Sequence, residues 1–434
     1  MSMKSLGALG AALLLSALPA AAAWEEAYDT GHWALCVVAD PVHQIVYAGL
    51  YDGLAIYEAA ADNWVSVHGS AGLDAVRDLL WHPKQPGLLI LAYGIIDTPG
   101  RIDRSLDGGF TAETVYMLPE DVYIGDLERD PTEPDRFYAA CYTFGSIGGG
   151  MVLRSEDAGL NWRIVEQSNA ADRHCLAVDG AGQLYRGGPD GIWRSPDGGL
   201  SWVSAQGDLP AAHIMCLRAM PGRAPGHLFA CTELDLYETL DSGQHWEPIL
   251  WGEKCTDLVI HSTVPQLMAA HITLGLGPMD EVTLSTNAGQ SWAWSGYWMV
   301  ANDWGAYQGM DILPMQNRIF ATMQDWIYTY DLGATGLAEV PSATPRAAAF
   351  PNPFNPATRI AATLPAARAV SLDIVDSAGR LQRRLLDDVP HPGGALAALW
   401  DGRDAAGRPL PSGVYHYRLR ADGRELGGKL VLLR

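Results

Sequence analysis

The sequence is poor in several features that would each point to a particular class of protein. Its 434 residues include six cysteines, at positions 36, 141, 175, 216, 231 and 255, too few for bridges to replace a hydrophobic core. No Cys-x-x-Cys pair and no His-Glu-x-x-His occurs, and no acidic cluster has EF-hand spacing, so neither zinc nor an EF-hand calcium has a motif to rest on. Basic residues are scarce. There are 29 Lys and Arg against 50 Asp and Glu, a formal net charge of −21. Residues 24 to 345 carry 15 basic against 42 acidic groups, and residues 346 to 434 carry 13 against 8. So acidic a surface repels phosphate backbones and anionic membranes, which argues against nucleic acid and leaves a cation or a neutral glycan as the more natural partner. Long apolar runs are missing except at the start. There Lys4, the run through Leu13, Leu14 and Leu15, and Ala21 to Ala23 read as a secretory signal peptide over residues 1–23. No other stretch is long enough to span a bilayer, so the chain is expected to be exported and not membrane-spanning.

What is present is one phrase repeated five times. It reads Ser105-Leu-Asp107-Gly-Gly109-Phe-Thr111, Ser155-Glu-Asp157-Ala-Gly159-Leu-Asn161-Trp162 and Ser195-Pro-Asp197-Gly-Gly199-Leu-Ser201-Trp202, with looser copies at Thr239-Leu-Asp241-Ser-Gly243-Gln-His245-Trp246 and Ser285-Thr-Asn287-Ala-Gly289-Gln-Ser291-Trp292. The composition suits a tight turn between two strands: hydroxyl and carboxylate bond turn amides, Gly supplies positive φ, and Trp opens the next strand by packing inward. The copies start 50, 40, 44 and 46 residues apart, a period typical of propeller blades. The phrase resembles the Asp box, or BNR repeat, of the sialidase-like propellers, whose members include sialidases, sortilin-type receptors, xyloglucanase-type glycosidases and photosystem II assembly factors. That resemblance implies a blade, with the Asp-box turns on the face opposite the ligand. It implies no particular chemistry, because these families share the fold alone.

A second phrase precedes each turn: Val46-Tyr-Ala-Gly49, Ile90-Leu-Ala-Tyr93, Phe137-Tyr-Ala-Ala140, Leu184-Tyr-Arg-Gly187, Leu228-Phe-Ala-Cys231, Met268-Ala-Ala-His271 and Ile319-Phe-Ala-Thr322. Seven copies predict an all-β, seven-bladed propeller over residues 24–331. The seventh unit ends at Asp331 without a box, and Trp24 to Tyr28 has the spacing of its missing outer strand, so the two ends of the domain are expected to close the ring. Residues 332–347 read as a Gly, Ala and Pro-rich linker. Beyond them come Phe350-Pro-Asn-Pro-Phe-Asn-Pro356, Val370 to Val375, Trp400-Asp-Gly-Arg-Asp404, Pro411-Ser-Gly-Val-Tyr415 and Lys429-Leu-Val-Leu-Leu-Arg434, short strands with turn signals that predict a small β-sandwich over 348–434. These phrases resemble the FlgD-like Ig domain and the type A C-terminal sorting domain of type IX secretion. The resemblance implies an address read by export machinery.

Aligned inner strands put Cys36, Asp78, Asp126, Cys175, Cys216, Asp257 and Asp311 at one register position near the channel mouth. Asp78, Asp126, Asp257 and Asp311 are therefore the candidate catalytic carboxylates. With the thiols they could also hold a channel cation such as Ca²⁺, or each Asp could bond neighbouring backbone. No other cofactor is implied. The connection from Trp292 to Asp311 offers a binding platform for a sugar or peptide in Trp294, Tyr297, Trp298, Asn302, Asp303, Trp304 and Tyr307. Loops near Ile95 to Gly100, Thr143 to Gly150 and Thr273 to Met279 would form the rest of the rim. The three-arginine constellation of a sialidase is absent. The expected protein is thus an exported propeller with a recognition surface for a glycan or protein ligand, secreted or held at the cell surface. The alternatives are a secreted glycoside hydrolase of the sialidase-like superfold and an extracytoplasmic assembly factor.

Overall fold

The computed structural model describes residues 24–434 except 69–74, 95–98, 144–148, 169–174, 223–224, 252–253, 275–278, 300–306, 314–317, 324, 333–345, 351–353, 355–357, 365–367, 392–393 and 422–423. The expected signal peptide and nearly all of the expected linker lie outside the described residues. No described residue is helical, and no helix is long and apolar enough to cross a membrane.

Up to Asp331 the strands form four-stranded antiparallel sheets, seven among the described residues. Each runs from an innermost strand outward in chain order, with one exception. In the last, the outermost position is filled by Trp24–Asp29, which pairs antiparallel with Trp326–Asp331. The innermost strands are Ala34–Asp40, Val76–Trp81, Val122–Arg129, Cys175–Val178, Ile214–Ala219, Lys254–Ile260 and Tyr307–Leu313. Each touches the next, and the last touches the first.

The core lies between sheets and not within them. One buried cluster joins Tyr47, Leu54 and Ile56 of the first sheet to Leu79, Leu89 and Leu91 of the second, and each later junction has its own cluster. The set ends where Phe320 and Ile327 pack on Val37, Ala48 and Tyr57. Both faces of each sheet are therefore apolar, which is why the second strands read as near-continuous buried runs such as Phe137–Thr143.

The repeated turn is held by its own side chains. Gly159 N donates to Ser155 Oγ at 3.0 Å, Ser155 Oγ donates to Asp157 Oδ1 at 2.9 Å, and Asn161 N donates to the same Oδ1 at 2.9 Å. The pattern recurs at Ser105/Asp107/Gly109, Ser195/Asp197/Gly199, Thr239/Asp241/Gly243 and Ser285/Asn287/Gly289. Trp162 and Trp202 donate their indole N–H to the carbonyls of Gly159 and Gly199, whereas Trp246 donates to Ala205. Trp292 is buried, and its indole N–H has no hydrogen-bond partner among the described residues. Gly159 is required twice over: its φ is +80°, and a Cβ there would lie 2.1 Å from Ile90 Cδ1 of the preceding sheet.

A second turn series joins the first two strands of successive sheets. The buried Asp40, Asp130 and Asp179 each accept amides from two or three residues ahead, and His82 and His261 do the same through Nδ1.

Residues 346–432 form two further sheets, Arg346–Phe350/Thr358–Leu364/Gly394–Trp400 and a four-stranded one centred on Arg368–Asp376 and Gly413–Ala421. Both contribute to a single core around Trp400, which lies 5.3 Å from the rings of both Phe354 and Tyr415. None of its members comes from before residue 354. Two turns here share the pattern Asp-x-Ala-Gly-Arg, in which Asp376 and Asp404 accept the amides of Ala378 and Arg380, and of Ala406 and Arg408.

Candidate functional site: the axial channel

The innermost strands share a bulge. Register shifts fall just before Cys36, Asp78, Asp126, Cys216 and Asp257; Cys36, Asp126, Cys216 and Asp257 pair with the fourth residue of the phrase on the second strand, and Asp78 pairs with Ala92, the third. Cys175 pairs with Gly187 at the equivalent place. Six of the seven aligned positions thus coincide, but the seventh does not. In the last sheet the shift precedes Gly309, which pairs with Thr322, while Asp311 pairs with Phe320 two residues further along. The sequence alignment slipped there because this unit has no Ser-x-Asp turn to anchor it. A smaller slip of the same kind affects the second sheet, where Leu89, not Ile90, opposes the turn serine Ser105 as Phe137 opposes Ser155.

The four carboxylates do one job between them. Asp78 takes Leu79 N on Oδ1 at 2.8 Å and Leu127 N of the next sheet on Oδ2 at 2.7 Å. Asp126 reaches across to Leu176 N at 2.7 Å. Asp311 takes Ile312 N at 2.7 Å and, across the closing junction, Ala39 N at 2.8 Å. Asp257 takes Leu258 N at 2.8 Å and the Arg218 guanidinium at 3.1 Å. At three junctions the carboxylate of one sheet therefore holds an amide of its neighbour.

Arginines make the converse link. Arg218 donates from Nε to Leu258 O of the next sheet at 3.0 Å, and Arg129 donates to Trp81 O of the preceding one at 3.0 Å while lying over the Trp81 ring. These two, with Glu128, were not singled out from the sequence. The signal was available: Glu128 and Arg218 follow Asp126 and Cys216 by two residues, the period that returns a strand to the same side.

Crowding of acids in the half-buried channel raises their proton affinity. Burial, then the charge of Asp126, lifts Asp78 to about 8 against the pull of its two amide donors and of Arg218. Burial and Asp126 lift Glu128 to about 7, and burial lifts Asp311 to about 6. For Arg218, burial opposes the charge but is outweighed by Cys216, Asp257, Asp126 and Glu128, so its guanidinium stays protonated. No group of three or more His, Cys, Asp or Glu among the described residues has a geometry that could hold a metal ion. The channel acids instead hold backbone amides and Arg218.

The expected aromatic platform falls partly outside the described residues: Asn302, Asp303 and Trp304 do, as do most of the three rim loops. Trp294, Tyr297 and Trp298 fall on the outermost strand Ala293–Met299, paired with Thr283, Glu281 and Asp280, and Tyr307 opens the innermost strand Tyr307–Leu313.

No protein-family model matches the chain, and no curated protein matches it. Solved structures do. The GH74 xyloglucanase from Xanthomonas campestris is 16% identical, with a TM-score of 0.56 over 93% of this chain and 66% of that one. The GH74 enzyme of Niastella koreensis is 14% identical, with a TM-score of 0.55 over 95% and 74%. YCF48 bound to D1 peptide is 13% identical, with a TM-score of 0.52 over 72% and 96%. The chain thus spans just under two thirds of the length of the xyloglucanase it matches. At these identities the likeness defines the fold: this is an all-β protein of the β-propeller class.

Proposed function

We propose that the chain is an exported, seven-bladed Asp-box β-propeller that binds a glycan or protein ligand without transforming it, and that its C-terminal FlgD-like Ig domain directs it to the cell surface or exterior. The observation that carries the non-enzymatic reading is the use made of the channel carboxylates. Both oxygens of Asp78 and of Asp311 accept backbone amides at 2.7 to 2.8 Å. A carboxylate so committed to holding strands together is a poor general base, and a hydrolase needs two acids free to exchange protons with substrate. YCF48, a propeller of like fold, is described as bound to a peptide, which supports recognition by this architecture. The GH74 neighbours favour the second reading, a secreted glycoside hydrolase.

A glycan and peptide array run beside a hydrolysis screen on xyloglucan and related polysaccharides separates the two. Binding without sugar release is expected, and it should be lost when Trp294, Trp298 and Trp304 are replaced together by Ala in a protein that still folds. Sugar release that Asp78→Asn or Asp126→Asn abolishes without unfolding would establish the hydrolase instead.

A further inference from the structure

One junction in the ring is chemically unlike the rest. The residue just before the shared bulge packs against the preceding sheet's second strand, and at two other junctions that contact is tight and inert. A Cβ on Gly49 would lie 2.9 Å from Val76 Cγ1, and one on Gly187 would lie 2.6 Å from Ile214 Cγ2. In the fifth and sixth sheets the same two positions are Cys231 and Cys255, and their sulfurs lie 2.7 Å apart. Both side chains are fully buried, in the cluster that joins those sheets. Two thiols do not rest comfortably at that separation, whereas a covalent bond of about 2.05 Å brings the sulfurs closer still.

We propose that Cys231 and Cys255 form a disulfide that staples the fifth sheet to the sixth. The oxidant is a low-molecular-weight or protein disulfide, such as oxidised glutathione. The Cys255 thiolate attacks one glutathione sulfur and expels glutathione thiolate. The Cys231 thiolate then attacks the Cys255 sulfur of the mixed disulfide and expels the second glutathione. Two protein thiols are oxidised, one external disulfide is reduced, and the two thiol protons pass to solvent. Burial raises both thiols away from thiolate formation once the sheets have packed, so the bond forms during folding and is afterwards sealed from reductant. Cys216 is the competitor, since it pairs directly with Cys231 across adjacent strands. Its thiol also touches that of Cys231, but it has a carboxylate partner that Cys255 lacks, donating its S–H to Asp257 Oδ1 at 3.5 Å.

The test needs no assumption about export or ligand. The full-length chain, unfolded and reduced, is refolded with or without oxidised glutathione, then denatured for thiol titration and peptide mapping. Four of the six thiols should titrate after oxidative refolding, with one cross-linked peptide pair containing Cys231 and Cys255. Cys216→Ser should keep that pair, and Cys255→Ser should lose it. Six titratable thiols in folded, oxidatively treated protein, or a Cys216–Cys231 cross-link, would overturn the proposal. If refolding yields too little folded protein, the same mapping on chain recovered from an oxidising export compartment of an expression host decides it by the same two outcomes.

Discussion

At the scale of single residues, the chain uses the same carboxylate in two opposite electrostatic settings. In the repeated turns the acids are exposed and surrounded by donors. The hydroxyl and amide of Ser201 hold Asp197 down to about 2, and the amide and ring of His245 do the same for Asp241. A depressed acid adds stability above its unfolded value of about 4 and loses it as pH falls through the folded value. Thermal melting should therefore worsen between about pH 4 and pH 2, and Asp197→Asn should flatten that limb. The buried hydroxyl is more costly to lose than the exposed carboxylate: Ser155→Ala strands the Gly159 amide and should destabilise by about 1–2 kcal/mol in urea unfolding, with ligand binding intact. In the channel the sign reverses. Asp78 and Glu128, raised to about 8 and about 7, hold protons in the native state that the unfolded chain has already released, so their contribution is complete below about pH 4 and falls away as pH rises to about 8. The melting temperature should drop between pH 5.5 and pH 8.5, and Asp78→Asn should lessen the drop. An unchanged slope in that variant would mean the channel acids do not govern alkaline stability.

At the scale of elements, what the sequence revealed depended on how local the determinant was. The Ser-x-Asp-x-Gly turns were legible because donor, acceptor and glycine lie within five residues of one another. The inter-sheet clamp was half legible: Asp78, Asp126 and Asp257 stand at one register, but their acceptor role depends on Leu127, Leu176 and Leu258, and two of these partners are 49 and 50 residues away. Asp311 was misaligned because its unit lacks the turn that anchors the others, and its true equivalent, Gly309, has no side chain to catch the eye. The turn series of Asp40, His82, Asp130, Asp179 and His261 went unseen because two different residue types perform one task in it. The strand Trp24–Asp29 was inferred from spacing alone, and it pairs as inferred. Its removal should be costly: a protein starting at His32 exposes the edge of Trp326–Asp331 and should aggregate or melt well below the longer form in light-scattering and calorimetric measurements.

At the scale of the molecule, the residues after 346 have a core of their own, carry the opposite charge to the propeller, and end in strands closed on Trp400. Deleting residues 348–434 should leave a folded propeller that binds its ligand but no longer reaches the cell surface; normal surface delivery of the shortened protein would exclude the sorting role. The propeller has a timing problem of its own. Thr30 donates both its amide and its hydroxyl to Asp325 O, 295 residues later in the chain, and the outermost strand beside it is matched only then. Six sheets can assemble as the chain is delivered, each from consecutive strands, but the first strand to be delivered is the last to be satisfied. The ring is committed in a single late step, and until then a folding intermediate carries an open seam at both ends. A holdase that grips extended, unpaired strands would have its substrate here, in the nearly finished molecule.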